Sequence, residues 1–362
     1  MVRAQFADQL VGFEIQSRRI HRPQGAAALL LYHTDMPESA KPTQRATAKD
    51  YIRLARPTQW GKGVFVLIGP IYGLALFDSW LSVLGAFLAF GFASSGCYVV
   101  NDIADREADA LHPRKKRRPI ASGLIPVGSA RVFSAVLLTL ALAACFLVAD
   151  PTRRWWVMGL TAVYTINVFV YSGFMKQIVI LDVISLSVGF VLRVMAGCAA
   201  AGVVPSTWLL NSTFFLAMFL ALGKRLGERR IMAENGVDPS QIRGVHSVYT
   251  DDLLRMAVVM TAVGTLVTYA GYVEKQQDIF GPAIEAVATG QSPWGFNLLW
   301  LTILPATFGL LRCIVLLEQG KYDDPTELAV RDRGVQAAGF LFVVLTVGLL
   351  AVEKLGASGG GT

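Results

Sequence analysis

Residues 101–109 read Asn-Asp-Ile-Ala-Asp-Arg-Glu-Ala-Asp, with carboxylates at Asp102, Asp105 and Asp109. On a continuous helix turning about 100° per residue, Asp105 lies roughly 60° from Asp102 and Asp109 about 20° from it, so the three acids share one face over about 10 Å. Such a face suits one or two Mg²⁺ ions held against a diphosphate, because Mg²⁺ takes carboxylate oxygens, water and substrate phosphates together. Three like charges on one face repel, and a divalent ion relieves that repulsion. Any one of these acids alone would read as a solvated helix end. The pattern NDxxDxxxD directly after an apolar run instead reads as a metal–diphosphate site. Asp102, Asp105 and Asp109 are its expected metal ligands and catalytic residues, with Asn101 beside them at the substrate.

The next stretch, residues 112–123, reads His-Pro-Arg-Lys-Lys-Arg-Arg-Pro-Ile-Ala-Ser-Gly. Arg114, Lys116 and Arg117 read as anchors at a membrane surface. Lys115 and Arg118 read as phosphate ligands, since Arg118 is followed by the stiff Pro119 and opens the turn. Arginine suits bidentate phosphate contact, and lysine serves as a point charge. His112 reads as a base or, in preference, as a loop residue.

The elements that must position this cluster are membrane spans. The 362 residues are 54% hydrophobic and 16% charged, whereas a soluble domain is about a quarter charged. Nine apolar runs are expected to span, at roughly 63–77, 81–100, 130–149, 155–172, 178–201, 207–222, 254–273, 294–316 and 335–352. The fold class is therefore all-α, a multi-pass bundle of about nine transmembrane helices. Pro70 predicts that the first span is kinked or begins earlier as an amphipathic helix, and Pro305 predicts a bend in the eighth. Residues 1–49 read as a cytoplasmic tail without a secretory h-region, 50–356 as the integral-membrane domain and 357–362 as a short C-terminal tail. Cys97, Cys145, Cys198 and Cys313 lie far apart in apolar runs with no CxxC pair, which argues against a zinc or iron–sulfur centre and a disulfide framework.

With the N-terminus placed in the cytoplasm, 27 of the 33 Lys and Arg fall in inside segments and 4 outside, with Arg193 and Arg312 within spans. This is the positive-inside bias. The net charge of +7 thus belongs to membrane orientation and not to nucleic acid. The long polar connections 101–129, 223–253 and 317–334 fall on the cytoplasmic side, where function is expected.

NDxxDxxxD followed by RPIxSG resembles the first signature of UbiA-type intramembrane prenyltransferases. That resemblance implies a nine-helix bundle with an aspartate-rich cytoplasmic cap over a lipid-open cavity. Further stretches resemble the decaprenyl-phosphate phosphoribosyltransferase branch. They are Arg56-Pro57-Thr58-Gln59-Trp60-Gly61-Lys62 (with Gly63 where the branch has Asn), His112-Pro113 with Lys115 and Arg118, and Lys176 with Leu181-Asp182. Arg193 with Ala196-Gly197, Gly223-Lys224-Arg225 with Glu228, Asp324-Pro325-Thr326-Glu327, and Arg331-Asp332-Arg333 complete the set. The resemblance implies Mg²⁺-dependent transfer of 5-phosphoribose from phosphoribosyl pyrophosphate to a polyprenyl phosphate at the inner membrane. Lys62, Lys115 and Arg118 would balance the diphosphate. Lys176, Arg193, Lys224 and Arg225 are candidates for the acceptor phosphate and the ribose 5-phosphate.

Prenyl-diphosphate branches carry a second acidic motif after the sixth span. Here that segment begins Lys224-Arg225, and Asp251-Asp252 lie at its far end with a different spacing. A prenyl diphosphate donor on an aromatic or lipid acceptor is the rival enzyme reading. A transporter is the rival of another class, disfavoured because the acids sit at the membrane edge. Arg193, a charge within a span, reads either as functional or as a structural partner of Asp182. Lys176 reads as a ligand or an anchor, and Asp182 as its possible bonding partner. Trp60, Trp155, Trp156 and Tyr171 fit an interfacial aromatic belt. The sequence leaves self-association open.

Overall fold

The computed structural model describes residues 46–111, 115–234, 249–276, 297–319 and 331–359. Among these, every regular element is helical. The chain enters at α1 (Ala48–Ala55), where Asp50 accepts the Thr47 backbone N–H at 2.8 Å and its hydroxyl at 2.6 Å. That closes the first turn, whose N–H groups have no helical partner. Leu54 and Tyr51 turn the apolar face of α1 inward, with Tyr51 edge-on to Phe133 at 5.1 Å. A 3₁₀ segment (Pro57–Gly63) and α2 (Val64–Tyr72) follow.

Within the expected first span, 63–77, the regular helix is thus only the nine-residue α2, which contains Pro70 and is preceded by α1 and the 3₁₀ segment. Eight helices are long and apolar enough to cross a membrane among the described residues, and α2 is not one of them. The cause is local. Pro57 lacks an N–H and starts a new helical segment, and Arg56 before it adopts a left-handed backbone that ends α1.

The long helices are α3 (Trp80–Ala104), α5 (Val127–Ala144), α6 (Pro151–Gly173), α7 (Leu181–Ala201), α8 (Thr207–Glu234), α9 (Asp251–Lys275), α10 (Ile303–Glu318) and α11 (Arg333–Gly359); the short α4 (Arg106–Leu111) follows α3. Windows of α3 and α7 are 67% and 61% buried, against 17% for α6 and α11. The first pair therefore forms the interior, and the second presents large apolar side chains such as Ile166 and Phe340 outward, as lipid-facing helices do. Small residues let α2 approach α7. A Cβ on Gly197 would collide with the Val66 carbonyl, so only glycine fits that crossing.

Pro305 falls in the first turn of α10, where the chain passes from a 3₁₀ segment (Leu298–Thr302) into the α-helix. One expectation needs correction. The sixth span does not end at residue 222. It continues to Glu234, carrying Lys224, Arg225 and Glu228 on helix, with Arg225 and Glu228 paired one turn apart at 2.7 Å.

Candidate active site

α3 delivers Asn101 and Asp102 at its C-terminal end. Its last turn closes at Ala104, Asp105 caps it, and α4 restarts at Arg106. The break interrupts the even helical rotation, so the three acids divide into two groups instead of lining one face. Asp102 and Asp109, each 3% exposed, share the guanidinium of Arg118 at 3.1 and 2.6 Å. Asp105 takes the ammonium of Lys176 at 3.1 Å and the side-chain amide of Asn101 at 3.1 Å. Asp102 is also held by Arg56, whose Nη2 donates to both carboxylate oxygens at 2.6 and 2.8 Å. Lys115 stands 3.9 Å from Asp109.

Arg118 is aimed by the turn it opens. Ser122 N–H bonds the Arg118 carbonyl, Ile125 N–H bonds the Pro119 carbonyl, and Gly123 closes the loop at φ 76°, a backbone that glycine adopts without Cβ strain. Lys176 comes from a 3₁₀ turn (Met175–Gln177) between α6 and α7. Arg56 joins this cluster, though the sequence reading quoted it only as part of a motif. Its signal is structural: it stands before proline with φ 52° and ψ 58°, a strained choice that the bond to Asp102 and the Tyr98 ring 5.0 Å beneath its guanidinium hold in place.

Three carboxylates therefore meet four cations, Arg56, Lys115, Arg118 and Lys176. Next to them a cavity of about 150 Å³ runs between α3, α6 and α7. Its wall carries Arg56, Lys62, Asn101, Asn167, Tyr171 and Arg193 among others, and no carboxylate. Arg193 closes its deep end, donating to the Tyr164 hydroxyl and the Gly189 carbonyl, both at 2.8 Å, with the Phe90 and Phe190 rings beside it. Trp60 bonds Ser95, which bonds the Ala55 carbonyl, fixing the segment that carries Lys62 onto α3. Trp60 and Tyr171 thus belong to the interior, while Trp155 and Trp156 are 70% and 65% exposed, as belt residues are.

Asn101 and Ser172 also line a second, apolar groove of about 300 Å³ between the ends of α3 and α6, with Val100, Ala104, Phe169 and Gly173. Phe169 and its neighbour Val170 are exposed, so this groove meets the lipid-facing surface.

Other expected partners part company. Asp182 pairs with neither Arg193 nor Lys176; it accepts Arg225 Nε at 3.2 Å and the Tyr249 hydroxyl at 2.6 Å. Arg225 also holds Glu228 and, like the exposed Lys224, is absent from the cavity wall. Burial, and then the Asp182 carboxylate, push the Tyr249 phenol well above its usual range, so it is a neutral donor. Asp251 pairs with Arg229 at 2.7 Å, and Asp252 is 88% exposed; the pair does not face the cavity wall. Arg331 and Asp332 are described, with Asp332 held by Arg312 at 3.0 Å. His112–Arg114 and residues 320–330 lie outside the described residues, as do 1–45.

Among the described residues no three His, Cys, Asp or Glu side chains meet closely enough to fix a metal position, because cations separate the carboxylates. The donor chemistry nonetheless fits Mg²⁺. Two buried carboxylates, a third beside them and the Asn101 amide offer only hard oxygen ligands.

A profile of the UbiA prenyltransferase family matches residues 63–274. The chain is 32% identical over 321 residues to a decaprenyl-phosphate phosphoribosyltransferase of Corynebacterium glutamicum, covering 87% of this chain and 91% of that one. It is 31% identical to the protein of the same name from Mycolicibacterium smegmatis, covering 87% and 97%. A solved UbiA homologue of Archaeoglobus fulgidus, bound to GPP and Mg²⁺, superposes with a TM-score of 0.57 over 84% of this chain and 99% of that one at 18% identity, a likeness of fold.

Proposed function

The chain belongs to the UbiA prenyltransferase family and is a multi-pass membrane transferase, and on that premise we propose that it moves 5-phosphoribose from phosphoribosyl pyrophosphate to a polyprenyl phosphate, releasing diphosphate. One observation carries the reading. Beside the buried aspartates lies a cavity walled by Arg56, Lys62 and Arg193 and by no carboxylate. A prenyl chain needs no cation beyond its diphosphate, whereas a phosphoribosyl donor and a phosphate acceptor bring two further anions. The relatives' names support the same transferred group and a polyprenyl-phosphate acceptor.

The residues divide the work by charge. Asp102, Asp105, Asp109 and Asn101 would hold Mg²⁺, which when bound neutralises charge developing on the leaving diphosphate. Arg118, Lys115 and Lys176 now balance those carboxylates and stand where diphosphate oxygens would need them. Lys62 and Arg193 face the interior of the cavity and suit the acceptor phosphate and the ribose 5-phosphate. As the C1–O bond to diphosphate breaks, ribose C1 becomes oxocarbenium-like, and an acceptor phosphate oxygen attacks from the opposite face. That oxygen is already anionic, so no base is required. The apolar groove between α3 and α6, which shares Asn101 and Ser172 with the cavity wall, would supply a lipid-side path for the acceptor's isoprenoid tail. The charge bias favours the cytoplasmic face of the inner membrane for this end of the bundle.

The test is transfer of label by purified protein supplied with Mg²⁺, radiolabelled phosphoribosyl pyrophosphate and polyprenyl phosphate. Label entering the lipid fraction, with release of diphosphate, is the expected result. Indifference to that donor, with alkylation from a prenyl diphosphate, overturns the reading.

A further inference from the structure

Among the described residues three non-glycine positions have positive φ: Arg56, Leu74 and Ile180. Ile180 is the hardest to sustain, because a β-branched side chain at φ 70°, ψ −43° crowds its own backbone. A residue so placed persists only where its surroundings fix it. Its N–H is held by the Tyr249 hydroxyl at 2.7 Å. That hydroxyl donates onward to Asp182 at 2.6 Å, and the other oxygen of Asp182 takes Arg225 at 3.2 Å. Tyr249, Asp182 and Arg225 are 1%, 1% and 6% exposed, so water does not substitute for any of them. The Ile180 carbonyl meanwhile accepts the first N–H groups of α7, from Val183 and Ile184. Both sides of the residue are pinned.

Four residues upstream, Lys176 reaches Asp105. The backbone between is short and bonded: Ile178 N–H to the Met175 carbonyl, and Asp182 N–H to the Ile178 carbonyl. A change of φ at Ile180 therefore swings the turn that carries Lys176. Only a phenol meets both demands here, since it accepts from Ile180 and donates to Asp182, while its ring belongs to the same buried core cluster as Val183, Leu226 and Leu254.

We propose that Tyr249 is a positioning residue of the active site: by holding Ile180 in its left-handed backbone, it aims Lys176 at Asp105. A residue just ahead of α9 thereby sets a charge in a cluster built from α3 and α4. This rests on the aspartate cluster being the site of transfer.

A double-mutant cycle on the full-length protein tests it, read as kcat/KM with whichever donor the wild type turns over. A failure of the phosphoribosyl reading therefore leaves this test intact. Tyr249→Phe is expected to lower kcat/KM about tenfold in the wild-type background and less than about twofold once Lys176→Met is present. Ile180→Gly, which takes positive φ freely, is expected to restore most of the activity of Tyr249→Phe. Loss by the same factor in both backgrounds, as a general weakening of the fold would give, overturns the proposal, as does absence of rescue by glycine. Should Tyr249→Phe not yield folded protein, Asp182→Asn enters the same cycle in its place, with the same expected loss of effect in the Lys176→Met background and the same overturning result.

Discussion

Asp102 accepts from two different arginines while nearly inaccessible to water, an expensive arrangement unless its charge is used. Each of Asp102→Ala, Asp105→Ala and Asp109→Ala is expected to lower turnover about a hundredfold, and EDTA to silence the wild type until excess Mg²⁺ is restored; full activity in EDTA would remove the metal role. Arg56→Lys tests the residue that the sequence reading quoted in a motif but gave no role. A lysine retains the charge but neither the fork on Asp102 nor the flat group over Tyr98, and a loss of about tenfold in kcat/KM is expected. The legibility of these residues follows from their spacing. Asp102, Asp105, Asp109, Lys115 and Arg118 stand within 17 consecutive positions, so local pattern brings them together, even though the break at Asp105 divides the acids that a continuous helix would align. Arg56 meets Asp102 from 46 residues away and Tyr249 meets Asp182 from 67. Such pairings are products of tertiary packing, and local pattern carries no trace of them.

At the scale of elements, apolar length located the bundle well, because a span's length is set by the bilayer. It failed where polar residues stay helical. Lys224 and Arg225, expected to open a loop and bind the ribose 5-phosphate, are instead successive residues on α8 with opposite surroundings: Lys224 is exposed and Arg225 is buried against Asp182 and Glu228. The two should separate cleanly. Removing one partner of a buried ion pair strands the other, so Arg225→Met is expected to cost about 3–5 kcal/mol of stability, measured by thermal unfolding in detergent. Lys224→Met is expected to leave the unfolding temperature unchanged, and its KM for phosphoribosyl pyrophosphate reports whether that lysine meets the donor. The crossing of α2 and α7 was not legible in the sequence at all, since hydropathy does not show which glycine faces a neighbour. Gly197→Ala is expected to destabilise by about 1–3 kcal/mol, because its Cβ meets the Val66 backbone and no rotamer relieves that contact.

Across the whole helical unit, ion pairs tie together connections that are remote in sequence. Lys176 joins the α6–α7 turn to Asp105, Arg230 and Arg255 both reach Glu318 at the end of α10, and Arg312 holds Asp332 ahead of α11. These connections therefore lie at one end of the bundle, and they are the same segments that hold the excess of Lys and Arg. The same cations thus serve twice, biasing orientation during insertion and pairing across connections in the folded state. The membrane orientation then has a direct test. All four native cysteines are buried, so an introduced thiol reports without removing them. Lys116→Cys, in the basic turn after α4, is expected to react with a membrane-impermeant maleimide only when the cytoplasmic face is exposed, as in inverted vesicles. Thr152→Cys, in the first turn of α6 at the opposite end, is expected to react in intact cells. The reverse pattern would put the aspartate cluster outside, away from any cytoplasmic phosphoribosyl pyrophosphate. It would overturn the proposed donor together with the orientation, because a polyanion of that kind does not cross the bilayer unaided.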